Sequence, residues 1–260
     1  MNIKINNDEW RQYIFVVKEL VSREIRRKYA RSHLGILWSV LNPLLSMAVM
    51  SMIFTTIFKR SIENFPVYYL TGTIFWQMFS GATNEAMTAL VDNKTLLLKV
   101  KLPKQTFVLA RVYTALTNFG YTCIAYVMML AVFRVKLTWI VIFFPIVVLC
   151  TLLFAMGIGY ALSIAYVFFG DIKHLYSVIL TLWMYMSAIF YPVSSTSELM
   201  QTIIGMNPLY VFIYFARCIV MEGIVPAPMW WLKMFVWSVV VFVGGYILFQ
   251  KTENKVMQII

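Results

Sequence analysis

Long uncharged runs alternate with short charged segments along most of this chain. A helix rises about 1.5 Å per residue, so about 20 apolar residues cross the roughly 30 Å hydrocarbon core of a bilayer. Six runs approach or exceed that length, at 35–58, 66–90, 107–133, 139–168, 175–192 and 229–250. The pattern predicts an all-α polytopic membrane protein in which residues 35–260 form a domain of six transmembrane helices.

The first 34 residues show apolar side chains at helical spacing instead of a continuous apolar run. Within residues 8–30 these side chains share one face, and most basic side chains lie opposite. This predicts an amphipathic interfacial helix in residues 1–34, lying in the headgroup plane and attracting anionic lipid. The alternative is a solvated helix packed on a partner. The predicted membrane-interface residues are Trp10, Arg26, Arg27, Lys28 and Arg31.

Residues 91–105 form a connection that is too short and too charged to span a membrane. Asp92 or Asn93 can cap a short helix there. Leu96 or Leu97 can share a face with Val100, while lysines occupy the other side. Residues 91–105 are therefore predicted to form a short cytoplasmic helix with one apolar side. The alternative is a loop held on lipid headgroups by its lysines.

Residues 194–228 break the regular order of runs. A polar turn leads into a short amphipathic stretch that ends at Asn207 and Pro208. The apolar stretch from 209 to 221 is short for a crossing and contains Arg217. This segment is therefore predicted to form short re-entrant or interfacial helices before the last span.

Composition and charge narrow the class of protein. The chain of 260 residues is 61% hydrophobic and 13% charged, so lipid must solvate part of its surface. The net charge of +11 would suit nucleic acid, but the basic residues cluster at the ends of the runs. Of the 22 Lys and Arg residues, 16 lie in segments assigned to the cytoplasmic side. This bias predicts six crossings with both termini in the cytoplasm and no nucleic-acid partner.

The sequence contains few groups that could carry catalysis. It has no Gly-rich phosphate loop ending in Lys and Ser or Thr. The two histidines, His33 and His174, have no second ligand at helical spacing, so no metal site is expected. Glu85 lies deep in the second run or near its inner end. Its carboxylate is costly in lipid, so either it faces a helix or water, or the span ends sooner.

A set of short motifs, in a particular order, resembles the permease subunit of bacterial ABC exporters of lipid-linked polysaccharide. Such exporters handle O-antigen, capsule or teichoic acid. The resemblance covers nearly the whole chain. The residues that carry it are Arg27, Lys28, Tyr29, Leu34, Gly35, Trp38, Pro43, Asn93, Leu96, Lys99, Val100, Leu102, Pro103, Lys104, Asp171, Ile172, His174, Tyr191, Pro192, Val193, Asn207, Pro208 and Arg217.

The resemblance implies a homodimer of this subunit in the bacterial cytoplasmic membrane, joined by two copies of a separate ABC ATPase. ATP and magnesium would bind to that partner, and this chain would hold no cofactor and perform no catalysis. An undecaprenyl-linked glycan, O-antigen above all, would pass through a channel between the two permease copies.

The same resemblance suggests roles for particular residues. Residues 91–105 would be a coupling helix that docks on the ATPase, and residues 194–221 would form an outer gate. Tyr176, Trp183 and Phe190 share one face of the fifth run at seven-residue spacing and are candidates for the pore lining; packing or lipid contact is the alternative. The coupling residues are Asn93, Leu96, Leu97, Lys99, Val100, Leu102 and Pro103; the pore residues are Tyr176, Trp183, Phe190 and Tyr191; the gate residues are Asn207, Pro208 and Arg217.

Two other classes compete with this interpretation. A membrane-embedded transferase acting on a lipid-linked glycan would need a cluster of charged groups at the membrane surface, and only Asp92 and Asp171 are acidic there. A secondary transporter would favour paired repeats or buried charges, and the sequence shows neither pattern.

Overall fold

The computed structural model describes residues 7–30, 32–56, 62, 64–99 and 102–259. Within these residues the regular structure is entirely helical, which confirms the all-α prediction. The helices are α1 Asn7–Tyr29, α2 Leu37–Thr56, α3 Phe65–Asp92, α4 Lys94–Lys99, α5 Gln105–Val132, α6 Phe144–Phe168, α7 Ile172–Met186, α8 Glu198–Met206, α9 Pro208–Arg217 and α10 Pro228–Ile259. A 3-10 turn, Trp139–Phe143, precedes α6, and a π-helical turn, Cys218–Glu222, follows α9.

Helix α3 lies at the centre of the bundle. It packs against α2, α5, α6 and α9, and most of its side chains are buried. Phe75 and Phe79 are fully buried and make ring contacts with Phe119, Phe144 and Phe154 of α5 and α6. Aromatic side chains bury a large area and prefer edge-to-face or offset contacts, so they fix how these helices meet.

Helices α6 and α10 approach each other closely at two glycines. A β-carbon on Gly157 would lie 2.3 Å from the carbonyl oxygen of Val241, and one on Gly245 would lie 2.0 Å from that of Gly157. Neither position can carry a side chain unless the helices separate. Small residues allow such contacts between apolar helices.

Four helices in the described part of the chain are long and apolar enough to cross a membrane. They cover Leu37–Phe54, Gln105–Val132, Trp139–Phe168 and Pro228–Val256. A fifth is counted if Glu198–Met206 and Pro208–Glu222, which meet at 93°, form one span. These helices match four of the six predicted runs, and Pro43 lies within α2.

The other two predicted spans differ from the simple pattern. Helix α3 has 28 residues, but Gln77, Asn84 and Glu85 lower its mean hydropathy. Helix α7 has 15 residues and ends at Met186, six residues before the predicted end of its run. After Ser187, the backbone of Ala188 has a φ of +48°, a left-handed conformation in which a right-handed helix cannot continue.

Candidate functional site

Buried ion pairs join α1, α3 and α5 at one end of the bundle. The Arg111 guanidinium donates to Glu24 Oε2 at 2.7 Å and to Asp92 Oδ2 at 2.9 Å. The Arg111 and Glu24 side chains are 10% and 8% exposed, whereas Asp92 is 40% exposed. Thr88 also donates to Asp92 Oδ2, at 2.8 Å. Each buried charge therefore has an opposite charge in direct contact.

The same network reaches the connection between α3 and α4. Arg23 donates to Glu24 at 3.0 Å and also to the side-chain oxygen of Asn93. The Asn93 side-chain amide donates to the carbonyl of Ala89 at 2.8 Å, and the Asn93 backbone carbonyl accepts from the amides of Leu96 and Leu97 in α4. The Arg111 cluster, consisting of Arg23, Glu24, Asp92, Asn93 and Arg111, thus fixes where α4 begins.

Arg111 lies near the start of α5. Its side chain turns into the protein because two carboxylates, on α1 and α3, are within reach of its two terminal nitrogens. The sequence feature that could have indicated an ion pair with Arg111 is Glu24, an acidic residue among the basic residues of α1. Amphipathic spacing alone could not show that Glu24 faces the protein.

Helix α4 exposes different side chains from those that the sequence pattern favours. Leu97 is 7% exposed within the chain, Leu96 is partly buried, and Leu98 is 58% exposed. Lys99 and Pro103 are exposed, while Leu102 is partly covered. Val100 lies outside the described residues. Among the three leucines of α4, Leu98 is therefore the most accessible to a partner.

Arg217 forms the centre of a second polar cluster, at the opposite end of α3. Its guanidinium donates to the carbonyls of Ala188 at 2.9 Å, Ile189 at 3.3 Å and Tyr68 at 3.3 Å. The guanidinium carbon also lies 3.4 Å from the centre of the Tyr68 ring. The Tyr68 hydroxyl donates to the carbonyl of Tyr191 at 2.8 Å. We call Tyr68, Ala188, Ile189 and Arg217 the Arg217 clamp.

The clamp explains why α7 ends early. The carbonyls of Ala188 and Ile189, which follow α7, accept from the Arg217 guanidinium and so have partners without a further helical turn. Space is limited, since a β-carbon on Gly72 would lie 2.9 Å from an Arg217 nitrogen. The aromatic and backbone partners of Arg217 are spread over distant segments, so local sequence did not reveal them.

Asn207 joins α7 to α9. Its side-chain oxygen accepts from the Trp183 indole at 2.8 Å and from the backbone amide of Leu209 at 3.0 Å, which caps α9. Its amide donates to the Met186 carbonyl at 2.9 Å. Pro208 follows in the first turn of α9, where its missing N–H leaves no bond unmade. The predicted gate residues Asn207 and Arg217 thus both hold the end of α7.

The predicted pore residues lie on the protein-facing side of α7 or just after it. The buried Tyr176 hydroxyl donates to Thr83 of α3 at 2.7 Å, and the Trp183 ring packs edge-on to Phe79 at 5.2 Å. Phe190 packs against Tyr69, and the Tyr191 hydroxyl donates to the Tyr185 carbonyl. The exposed side of α7 carries other residues: Leu175, Val178, Ile179, Leu182 and Tyr185.

Four of the predicted membrane-interface residues, Trp10, Arg26, Arg27 and Lys28, lie on α1. Arg26, Arg27 and Lys28 are exposed, and Arg26 lies 3.9 Å from Glu19. The side chain of Trp10 and residue Arg31 lie outside the described residues. Leu20 and Val21 are buried, in a helix that packs on α5. Part of the apolar face of α1 therefore covers its own chain.

No group of three or more His, Cys, Asp or Glu residues that could hold a metal ion occurs among the described residues. The acidic side chains of the Arg111 cluster are instead used by arginines.

Comparison with known proteins gives a consistent result. Residues 16–221 match the family described as ABC-2 type transporter. The chain is 34% identical over 200 residues to the O-antigen export system permease protein RfbA of Myxococcus xanthus, which covers 76% of this chain and 77% of that protein. It is 28% identical over 214 residues to the Klebsiella pneumoniae protein of the same name, and this match covers 81% of this chain and 82% of that protein. It is 26% identical over 212 residues to the polysialic acid transport protein KpsM of Escherichia coli, and this match covers 80% of this chain and 81% of that protein.

These relatives confirm the resemblance to permeases of polysaccharide ABC exporters, and membership of such a family implies a partner ATPase subunit. The family match extends from α1 through the π-helical turn and includes both the Arg111 cluster and the Arg217 clamp. The chain therefore belongs to the ABC-2 type transporter family.

Proposed function

We propose that this chain is the membrane subunit of an ATP-driven exporter that moves a lipid-linked polysaccharide, most simply an O-antigen, across the bacterial cytoplasmic membrane. The observation that carries the proposal is the 34% identity to an O-antigen export permease over three quarters of both chains. Relatives named for polysialic acid transport and capsule export keep capsule within the same class. Teichoic acid is a further member of that class.

Transport is favoured over the transferase alternative by the relatives' names, which describe export or transport. It is also favoured by the Arg111 cluster, whose carboxylates are occupied by arginines. A transferase would need such a charged group free at the membrane surface. In this proposal ATP and magnesium belong to the partner ATPase, and this chain holds neither.

Six crossings with both termini in the cytoplasm remain part of the proposal, with α2, α3, α5, α6, α7 and α10 as the spans. Support for α3 comes from its two polar clusters. Tyr68 and Asp92 are 24 residues apart, or about 36 Å along a helix, slightly more than the thickness of a bilayer core. The Arg217 clamp would then lie at the outer surface and the Arg111 cluster at the inner one.

The proposed assembly is a homodimer of this chain with two ATPase subunits, and the glycan channel would run between the two permease copies. The segment 91–105 would dock on the ATPase. The Arg111 cluster supports this role, because it ties the start of α4 to α1, α3 and α5. The helices α8 and α9 would form the outer gate as a re-entrant pair bent at Asn207.

Genetic complementation tests the proposal. The gene would be deleted from its host and surface polysaccharide measured. The gene would then be restored on a plasmid and the measurement repeated. We expect loss of surface glycan, accumulation of lipid-linked glycan in the cytoplasmic membrane, and recovery on restoration. Unchanged surface glycan in the deletion strain, or loss of glycan synthesis without accumulation, would refute an export role.

A further inference from the structure

The strongest feature that the proposed function leaves unexplained is a polar cavity between α2, α3 and α5, beside the end of α1. Its volume is about 290 Å³. Small-molecule sites usually occupy about 300–1,000 Å³, so this cavity fits one small ligand and not an extended chain. The residues lining it include Lys28, Trp38, Asn42, Gln77, Glu85 and Asn118.

Glu85, one of the residues that line the cavity, has a carboxylate oxygen without a partner. Among the described residues, Oε2 of Glu85 is buried and takes part in no hydrogen bond. Leaving a buried acceptor unsatisfied costs about 1–3 kcal/mol, and more when the group is charged. A ligand in the cavity that donates a hydrogen bond to the Glu85 carboxylate, once the carboxylate turns toward it, would remove that cost.

The charges lining the cavity select a neutral ligand. Glu85 and Lys28 both line it, so an anion would meet the carboxylate and a cation would meet the ammonium group. The other polar groups are amides and hydroxyls, which both donate and accept. Hydroxyl groups on a ligand match this mixture, since each can donate to a carboxylate and accept from an amide or ammonium.

Trp38 supplies an apolar surface beside these groups. Its side chain is 40% exposed and lines the same cavity. A ligand with hydroxyls around its edge and C–H groups on its face can cover an aromatic ring while bonding the polar wall. The carboxylate, the amides and the indole together therefore suit a sugar ring better than an apolar or a charged ligand.

A second cavity connects this site with the Arg111 cluster. It has a volume of about 410 Å³, and its lining shares Lys28 and Glu85 with the first. Arg111, Asp92 and Glu24 also line it. A ligand bound at Glu85 would thus lie next to the ion pairs that fix the start of α4.

We infer that the cavity between α2, α3 and α5 binds one neutral sugar residue of the glycan, with Glu85 accepting from its hydroxyls and Trp38 covering its face. The inference rests on the proposed function for its substrate and assigns a site within each protomer. It differs from the channel proposed between two copies.

Gly81 provides a direct test. Gln77, Gly81 and Glu85 are spaced one helical turn apart on α3, and all three line the cavity. A β-carbon on Gly81 would meet no atom within 4 Å. Gly81→Leu should therefore fill the cavity without disturbing the helices. Gly120→Leu is the matched control, because Gly120 also has open space and does not line the cavity.

The experiment measures binding of methyl glucoside, methyl galactoside and methyl mannoside to the full-length permease in nanodiscs with its partner ATPase. Saturation-transfer difference NMR detects the weak binding expected of a single ring. We expect a signal with the wild-type protein and Gly120→Leu and none with Gly81→Leu. Glu85→Gln keeps the shape but loses the charge, and it should weaken binding about fivefold, since hydrogen bonds to charged groups are roughly twice as strong.

Two results would overturn the inference. One is that no methyl glycoside binds the wild-type protein, including the case in which inorganic phosphate binds instead. The other is that Gly81→Leu binds as well as Gly120→Leu. Surface glycan in complemented cells separates the two proposals: failure of the wild-type gene to restore export refutes the proposed function. Restored export with equal sugar binding by both leucine variants refutes this site alone.

Discussion

Replacing Arg111 with methionine should destabilise the permease more than any change at an exposed charge. The substitution keeps most of the side chain's apolar length but removes the guanidinium that contacts Glu24 and Asp92. Glu24, only 8% exposed, then loses its buried partner and retains only the more exposed Arg23. Breaking a buried ion pair in this way costs about 3–5 kcal/mol.

The expected change is large enough to measure. In a chain of this size each kcal/mol lowers the unfolding midpoint by about 2–4 °C, so Arg111→Met should lower it by about 10 °C. Thermal unfolding of the purified protein, followed by tryptophan fluorescence at one fixed heating rate, gives an apparent midpoint even where unfolding is irreversible. The control is Arg26→Met, since Arg26 is exposed and lies 3.9 Å from Glu19. An exposed pair of this kind contributes about 0–1 kcal/mol.

A double variant separates charge from packing. Glu24→Gln removes the buried charge while keeping its shape, so adding it to Arg111→Met should recover part of the lost stability. If Arg111→Met shifts the midpoint no more than Arg26→Met, the ion pairs do not hold α1, α3 and α5 together. If the double variant is less stable than Arg111→Met, the loss does not come from the Glu24 charge left without Arg111.

Three further predictions follow from the clusters and the proposed topology. Arg217→Met should lower the unfolding midpoint by several degrees, because the carbonyls of Ala188 and Ile189 lose their donor and each buried group left unsatisfied costs about 1–3 kcal/mol. A midpoint as little changed as that of the exposed control Lys136→Met would contradict the clamp. Leu98→Asp should reduce co-purification of the ATPase without lowering the unfolding midpoint. Leu137→Asp, also at an exposed leucine, should leave co-purification unchanged, and equal ATPase recovery from both variants would exclude Leu98 from the docking surface. In a variant lacking the three native cysteines, impermeant maleimide added outside cells should label cysteines placed at Ile62 and Thr196 but not at Thr95 or Lys255; labelling at Lys255 would refute six crossings.

Periodicity and run length predicted the helices well because both depend on local sequence. The bounds of α5 and of the Trp139–Phe168 segment follow from apolar runs, and α4 follows from a charged connection with three leucines. The start of α10 also follows from its run, but the helix continues to Ile259, past the end of the run at residue 250. The short α7 was not predictable in this way. Its run continues to residue 192, but the Arg217 clamp supplies donors from α9 that hold the carbonyls in a different conformation.

The sequence predicted which residues share a face better than it predicted what that face contacts. Tyr176 and Trp183 do lie on one side of α7, but their polar atoms bond Thr83 and Asn207. A buried hydroxyl or indole N–H requires such a partner, and the partners lie on other helices. Arg111 shows the same problem, since its two acidic partners are 87 and 19 residues away along the chain.

The distribution of polar groups constrains how this permease can transmit motion. Both clusters involve α3, which carries Tyr68 in the Arg217 clamp and Asp92 in the Arg111 cluster. A shift of α4 acts first on Asn93, at the end of α3, because Asn93 bonds both Arg23 and Ala89. Helix α3 is buried along most of its length, so it cannot bend without disturbing the packing of α5 and α6. We therefore expect displacement at the start of α4 to move α1, α3 and α5 together, and to reach the end of α7 through Tyr68 and Arg217.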